Sequence, residues 1–435
     1  MSPSRPKAKR WRAAALSGVL ISALIGVLLA TTLAWQGHDE PARDPDPSRS
    51  AAPADAQTVQ QGAYLARAGN CMACHTSAGA PAYSGGRGIE TPFGTVYAGN
   101  LTPDLQTGIG RWSADDFWRA LREGRSRDGR LLYPAFPYAN YSVIRREDSD
   151  AMFAYLRSLT PVHQPNRAHD LRWPFNTQAA LAFWRALYFE PGQIKVEAQA
   201  DATLLRGAYL VQGLGHCSAC HSARNALGAS NPLDLAGGLI PMQNWYAPSL
   251  NSREEAGVMH WPLADIVALL KTGVSARGSA QGPMAEVVLH STQHLSEADL
   301  QAIGVFLQRL PEQASRLPEP APPTANRAGA ALYDKHCVQC HGEQGQGVPG
   351  AYPALAGNRA VGMAQPVNLV QMVLHGGYAP ATAGNPRPFG MPPYIVDLSN
   401  QEIADLLSHL RSSWGHAAGA VSAVDVQRSR AQPGR

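Results

Sequence analysis

The sequence predicts an all-α chain in which three small helical domains follow one N-terminal apolar segment. Three observations carry that reading: a short pattern recurs three times, each copy closes on an apolar helical run, and 435 residues at roughly 150 per domain give about three domains. Composition agrees, since 45% hydrophobic residues supply cores while 34 prolines and 41 glycines supply turns. Neither a wholly disordered nor a collagen-like chain has this make-up. A net charge of +4 with 16% charged residues argues against the concentrated basic face of a nucleic-acid binder.

Arg5, Lys7, Lys9, Arg10 and Arg12 precede an uncharged stretch from Ala13 to Trp35. About 20 apolar helical residues span a bilayer, so segment 1–35 predicts a membrane anchor whose basic flank stays cytoplasmic. A cleaved signal peptide is the other reading, although its apolar core usually covers about 7–15 residues. Both export the rest of the chain, which places the domains in the periplasm at the inner membrane. Residues 36–56, rich in Pro, Asp and Ala, read as a disordered tether, and 416–435 as a disordered tail.

The repeats come next. Gly62-Ala63-Tyr64-Leu65 leads into Cys71-Met72-Ala73-Cys74-His75, within a first domain over 57–165. Gly207-Ala208-Tyr209-Leu210 leads into Cys217-Ser218-Ala219-Cys220-His221, within a second over 201–312. Gly329-Ala330-Ala331-Leu332 leads into Cys337-Val338-Gln339-Cys340-His341, within a third over 326–415. The closing apolar runs are Asp148–Leu159, Ser296–Leu310 and Ser399–Trp414. An aromatic helical linker, 166–200, joins the first two domains, and a Pro-rich linker, 313–325, joins the last two.

The motifs use all six cysteines, so none is left for a disulfide. Two cysteines three positions apart reach both vinyl groups of a haem as thioethers, and the adjacent histidine then lies beneath the iron. The expectation is three covalently bound haems c, on Cys71 and Cys74, Cys217 and Cys220, and Cys337 and Cys340, with His75, His221 and His341 as proximal ligands. Zinc is the competing reading of Cys-x-x-Cys pairs, but each pair here carries its own His in its own repeat. A thioredoxin-like motif would need a βαβ context, which the pattern lacks.

A distal methionine should lie on the loop before each closing run. Met391, in Pro388-Phe389-Gly390-Met391-Pro392-Pro393-Tyr394, fits that place in the third repeat, and Met284, after Gly282-Pro283, fits it in the second. Met242, Met259, Met363 and Met372 read as packing residues. The first repeat breaks the rule: Tyr133-Pro134-Ala135-Phe136-Pro137-Tyr138 puts Phe136 where sulfur should be, and Met152 falls on the closing run. The first haem is then either five-coordinate or ligated by a residue that the pattern does not mark, a second histidine included.

With these motifs the chain resembles the tri-haem cytochrome c subunits of membrane-bound periplasmic dehydrogenases, enzymes that oxidise gluconate, sorbitol, fructose or alcohols. The resemblance runs from about Gln57 to Gly415, carried by TPFGTVYAGNLTPDLQTGIGRWS (91–113), LYPAFPYANYS (132–142), CHSARNALGA (220–229), GPMAEVV (282–288) and SHLRSSWG (408–415). It implies three tandem class I cytochrome c domains, with Met284 and Met391 as distal ligands. Sugar-acid- and alcohol-linked members carry Met at the position of Phe136; a Phe there resembles cytochromes paired with molybdenum hydroxylases of aldehydes or N-heterocycles. Many relatives also attach through a C-terminal segment, unlike the N-terminal apolar stretch here.

The expected role is electron transfer from a flavoprotein, quinoprotein or molybdenum dehydrogenase subunit to membrane quinone or a terminal oxidase in the respiratory chain. No carboxylate pair, nucleophile triad, phosphate loop or flavin fingerprint marks a substrate-oxidising site. Two other readings remain: peroxide or small-ligand chemistry at an open first haem, and a cytochrome subunit of another respiratory complex. The aromatics of Arg172–Phe189 read first as an interface cover, then as a membrane- or quinone-adjacent surface. The arginines of 119–130 read as a solvated helix end, with steering of an acidic partner as the alternative.

Overall fold

A computed structural model describes Gly26, Thr31 and residues 54–197, 199–255, 257–315 and 326–432. The expected anchor over 1–35 falls outside them apart from those two positions. Among the described residues no helix is long and apolar enough to cross a membrane.

Each repeat is a pair of crossed helices. The opening helices are Ala56–Ala68, Ala202–Ala208 and Arg327–His336; the closing ones are Arg146–Ser158, Glu297–Gln308 and Asn400–Arg411. Side chains cap most of these starts: Asp55, Asp201, Ser296, Asn326 and Ser399 each accept a backbone N–H from three residues on. The recurrent glycine explains the crossing. A Cβ on Gly62 would lie 1.9 Å from the Ala151 carbonyl oxygen, on Gly207 2.0 Å from that of Ala302, and on Gly329 2.1 Å from that of Asp405. The helices therefore touch backbone to backbone at those glycines, and no side chain fits there.

The all-α expectation is corrected. Among the described residues helix makes up 43%, and there are four small antiparallel sheets whose strands, apart from Asp170–Leu171, lie between the attachment turns and the closing helices. Gly88–Thr91 pairs with Gly94–Tyr97, which also pairs with Asp170–Leu171. Gly238–Ile240 pairs with Trp245–Ala247, Val274–Ser275 with Gly278–Ser279, and Gly377–Tyr378 with Gly390–Met391. The cause is local. Pro92-Phe93 between Thr91 and Gly94, the latter at φ 125°, closes a tight hairpin. The other strands are two or three residues long, too short for an alternating pattern to reveal.

Repeats one and two share a single core, in which Leu65, Ile144, Leu156, Leu210, Leu214, Ile266 and Leu300 meet, while the third repeat has its own around Val370, Leu374, Ile403 and Leu407. Equivalent residues lock the shared core reciprocally. Tyr64 of the first repeat donates to Asp299 of the second at 2.5 Å, and Tyr209 of the second donates to Asp148 of the first at 2.5 Å. Arg206 adds a two-pronged pair to Asp299 at 2.8 and 2.7 Å. Burial opposes ionisation of Asp299, but Arg206 and Tyr64 outweigh it and hold its pKa below the ordinary 3.8. A depressed carboxyl stabilises the fold above its unfolded-state value and loses that contribution as pH falls through the lower folded-state value. Asp299→Asn is therefore expected to cost roughly 1.5–3 kcal/mol at pH 7 and progressively less as pH falls through the depressed folded-state value, in denaturant titrations of the holoprotein. A deficit that does not shrink as pH falls would sink this account.

The tail expectation is also corrected. Ala423–Ala431 is helical, opened by a reciprocal Ser422–Asp425 cap, and buries Val426 in the third core beside Val421. Arg430 ties it down by donating to Asn400 Oδ1 at 2.8 Å and Leu398 O at 2.9 Å. In the aromatic linker, Gln178–Tyr188 is a helix that buries Leu181 and Ala182 against Leu131, and Trp184 donates to Leu227 O at 2.9 Å. Trp173 remains 80% exposed. The arginines of 119–130 are mostly engaged within the fold: Arg122 donates to Ser142 O, Arg119 pairs with Glu123, and Arg125 is buried.

Candidate functional site

Each attachment motif is one tight turn after an opening helix. Gly69 and Asn70, the latter at φ 51°, end the first helix and start Cys71–Cys74; a π-type turn over Tyr209–Leu214, then Gly215 and His216 at φ 37°, does so for the second. Helical turn geometry brings residues three apart onto one face, so both cysteines of each motif point the same way. The histidine N–H closes the turn on the first cysteine's carbonyl, at 3.0 Å for His75 and 2.9 Å for His221 and His341. The histidine carbonyl then accepts from a downstream glycine N–H: Gly85 at 2.8 Å, Gly237 at 2.9 Å and Gly347 at 2.8 Å, all at positive φ.

The imidazoles are held alike. Nδ1 of His75 meets the Gly99 carbonyl at 2.7 Å, that of His221 meets Pro248 O at 2.7 Å, and that of His341 meets Pro353 O at 3.0 Å. A carbonyl accepts only, so Nδ1 carries the proton and Nε2 keeps its lone pair. That tautomer and fixed ring are what a metal-binding histidine needs. Burial lowers the pKa of all three, against the opposing pull of the carbonyl; at His221 the Glu255 carboxylate pulls the same way as Pro248.

Desolvation raises the pKa of five of the six thiols, although Cys74 is exposed and the others are half-buried. Burial, then the charge of Cys74, pushes Cys71 up to about 12; burial and Cys220 do the same to Cys217, and burial and Cys340 push Cys337 up to about 11. Among the described residues no group of three or more His, Cys, Asp or Glu is arranged to hold a metal ion. A pair of convergent thiols beside one imidazole with a free Nε2 fits haem c in every repeat.

Met391 sits in a two-residue strand against Gly377–Tyr378, half-buried on the third core. Met284 is the second residue of the helix Pro283–His290, which follows Gly282 at φ 52°, so it lies on a helix and not on the expected loop, and it packs on the shared core. That helix also lies against Cys71–Cys74, where Glu286 pairs with Arg87 at 3.1 Å and Arg87 donates to Ala73 O at 2.7 Å. Asn140, just after Phe136, donates to the Gln212 carbonyl and to the Ser218 hydroxyl, both at 2.9 Å, which ties the first repeat to the second attachment turn. Phe136 is half-buried, its ring 5.4 Å from that of Tyr141. Of the other methionines, Met152 and Met363 are buried in cores and Met242 is exposed.

Two tyrosines that the sequence reading passed over tie the distal loops to the attachment turns. Tyr141 donates to Gly69 O at 2.8 Å and Tyr394 to His336 O at 3.0 Å, each just ahead of a first cysteine. A tyrosine three to five residues after the Pro-flanked loop was the available signal. His216 is packed edge-on at 5.6 Å from Tyr141, bridging the first two repeats.

A family model for cytochrome c matches residues 59–160 and 327–414. The cytochrome c subunit of the quinone alcohol dehydrogenase of Gluconacetobacter polyoxogenes is 39% identical over 87% of this chain and 85% of its own length. The gluconate 2-dehydrogenase cytochrome c subunit of Pantoea cypripedii is 38% identical over 86% of this chain and 89% of its own. A subunit of the nicotinate dehydrogenase of Pseudomonas putida is 40% identical over 94% of this chain, which spans 34% of that longer protein.

Proposed function

The chain belongs to the family of dehydrogenase cytochrome c subunits, and from that premise we propose that it carries electrons through three haems from a catalytic dehydrogenase subunit to quinone or the respiratory chain. The observation behind the number is the threefold recurrence of one built site: two cysteines on a turn, and a histidine whose Nδ1 is engaged and whose Nε2 is free. Covalent haem c supplies reversible one-electron chemistry at iron.

In this proposal each cysteine pair would anchor the macrocycle, and His75, His221 and His341 would hold iron through Nε2. Met284 and Met391 would supply a sulfur ligand in the second and third repeats. The shared core packs against Cys71 and Cys217 and holds the first two repeats as one unit, which would fix the positions of their two haems relative to each other. The domains work on the periplasmic side, in keeping with the charge pattern of the first 35 residues and with haem attachment outside the cytoplasm. Phe136, together with the likeness to a nicotinate dehydrogenase subunit, extends the partner from flavoproteins and quinoproteins to molybdenum hydroxylases.

The test is purification of the complex from native membranes. The expected result is a haem-to-chain ratio of three by pyridine haemochrome, and a co-purifying dehydrogenase whose substrate reduces those haems. A ratio of two, or a cytochrome that emerges alone in every detergent, overturns the proposal. Phe136 supports one second reading, small-ligand or peroxide chemistry at the first haem; peroxide turnover by the isolated chain would favour it.

A further inference from the structure

The three proximal histidines are held alike but not backed alike. Each donates its Nδ1–H to a carbonyl, and that carbonyl shares a peptide unit with the N–H of the next residue. What accepts this N–H differs between repeats. Behind Gly99 it is a neutral amide: Asn100 N–H donates to Asn166 Oδ1 at 2.7 Å. Behind Pro248 it is a carboxylate: Ser249 N–H donates to Glu255 Oε2 at 2.8 Å. Behind Pro353 the contact to His341 sits at the exposed surface.

Glu255 is 1% exposed. Its oxygens also accept from the Tyr246 hydroxyl at 2.9 Å and the Ser315 hydroxyl at 2.7 Å. Three donors surround it, the shell that suits an ionised carboxylate, which can only accept. Arg359 of the third repeat reaches the main-chain carbonyls of Glu255 and Gly257, at 3.5 and 3.3 Å, and is not hydrogen-bonded to the carboxylate. Desolvated charge acts more strongly on its neighbours than charge in water.

We propose that Glu255 is a positioning residue that lowers the reduction potential of the second haem through the Pro248–Ser249 peptide. The carboxylate draws on the Ser249 N–H. Peptide resonance passes the resulting electron density to the Pro248 oxygen, which then grips the His221 Nδ1–H more firmly. An imidazole whose far N–H is so held is a stronger donor at Nε2, and a stronger donor favours the oxidised iron. Asn166 offers the first repeat only the neutral version of the same contact. This inference rests on Cys217–His221 being a haem site.

The test is a spectroelectrochemical titration of the full-length holoprotein in the wild type and three variants. The Cys217→Ser/Cys220→Ser double variant should lose one haem of three, and the transition that vanishes marks the second haem. If its haem content does not fall, the underlying site reading fails, independently of the role given to Glu255. With that transition marked, Glu255→Gln is expected to raise its midpoint and leave the other two in place. Ser315→Ala, which removes a donor that offsets the charge, is expected to lower it. An unmoved second midpoint in Glu255→Gln, or a shift shared equally by all three haems, overturns the inference. Should Glu255→Gln fail to take up its haem, Ser315→Ala decides by the same criterion.

Discussion

Phe136→Met is expected to abolish CO binding by the reduced protein and to raise the potential of the first haem. The phenyl ring stands where the sequence pattern of the other repeats offers Met284 and Met391, and carbon offers iron no lone pair. Its surroundings suit the exchange: the side chain is half-buried and packs on the ring of Tyr141, whose hydroxyl fixes the Gly69 carbonyl two residues before Cys71. Methionine is unbranched and adaptable, so a swap of this kind usually costs less than about 1.5 kcal/mol. A sulfur brought to the sixth position would fill the site that CO takes and favour reduced iron, because Met/His ligation raises the potential. CO binding at wild-type stoichiometry in Phe136→Met, with the fold intact, would remove Phe136 from the account of the first haem.

Met391→Leu should have the opposite effect on the third haem. Leucine keeps nearly the same volume on a half-buried strand residue, so the core beneath it should be retained. Only the sulfur is lost. The expected outcome is a downward shift of one midpoint, within the roughly 0.8 V range that axial ligands cover, together with loss of the sulfur-to-iron charge-transfer band. Met363→Leu is the matched control, since Met363 is buried with Tyr246 and Val367 and should leave both signals unchanged. Identical spectra for Met391→Leu and wild type would count against Met391 as a ligand.

The parts of the site that repeat were legible in the sequence. The Gly-Ala-Tyr-Leu and Gly-Ala-Ala-Leu segments stood out as copies, and the structure supplies the reason in the backbone contact at Gly62, Gly207 and Gly329. Strands of two and three residues were not legible, because two side chains make no period. The hairpin at Thr91-Pro92-Phe93-Gly94 did leave a turn signal that an all-helical reading passed over. The helix Ala423–Ala431 escaped notice because it buries little beyond Val426 and Ser429, an apolar face too narrow to register against its polar composition. Glu255 is six residues from the peptide it supports, and nothing in the local pattern joins the two. Long-range pairs such as Tyr64–Asp299, 235 positions apart, belong to the tertiary fold alone.

That last pair governs how the chain can be made. The first repeat's Leu65 and Leu156 share one core with Leu210, Ile266 and Leu300 of the second, and the Tyr64–Asp299 pair closes the arrangement. Synthesis delivers the N-terminal half first, so the first motif is made before the helix that lies against it, Pro283–His290. The third repeat has a core of its own. In packing, the three repeats are therefore a pair and a single, not three equal beads.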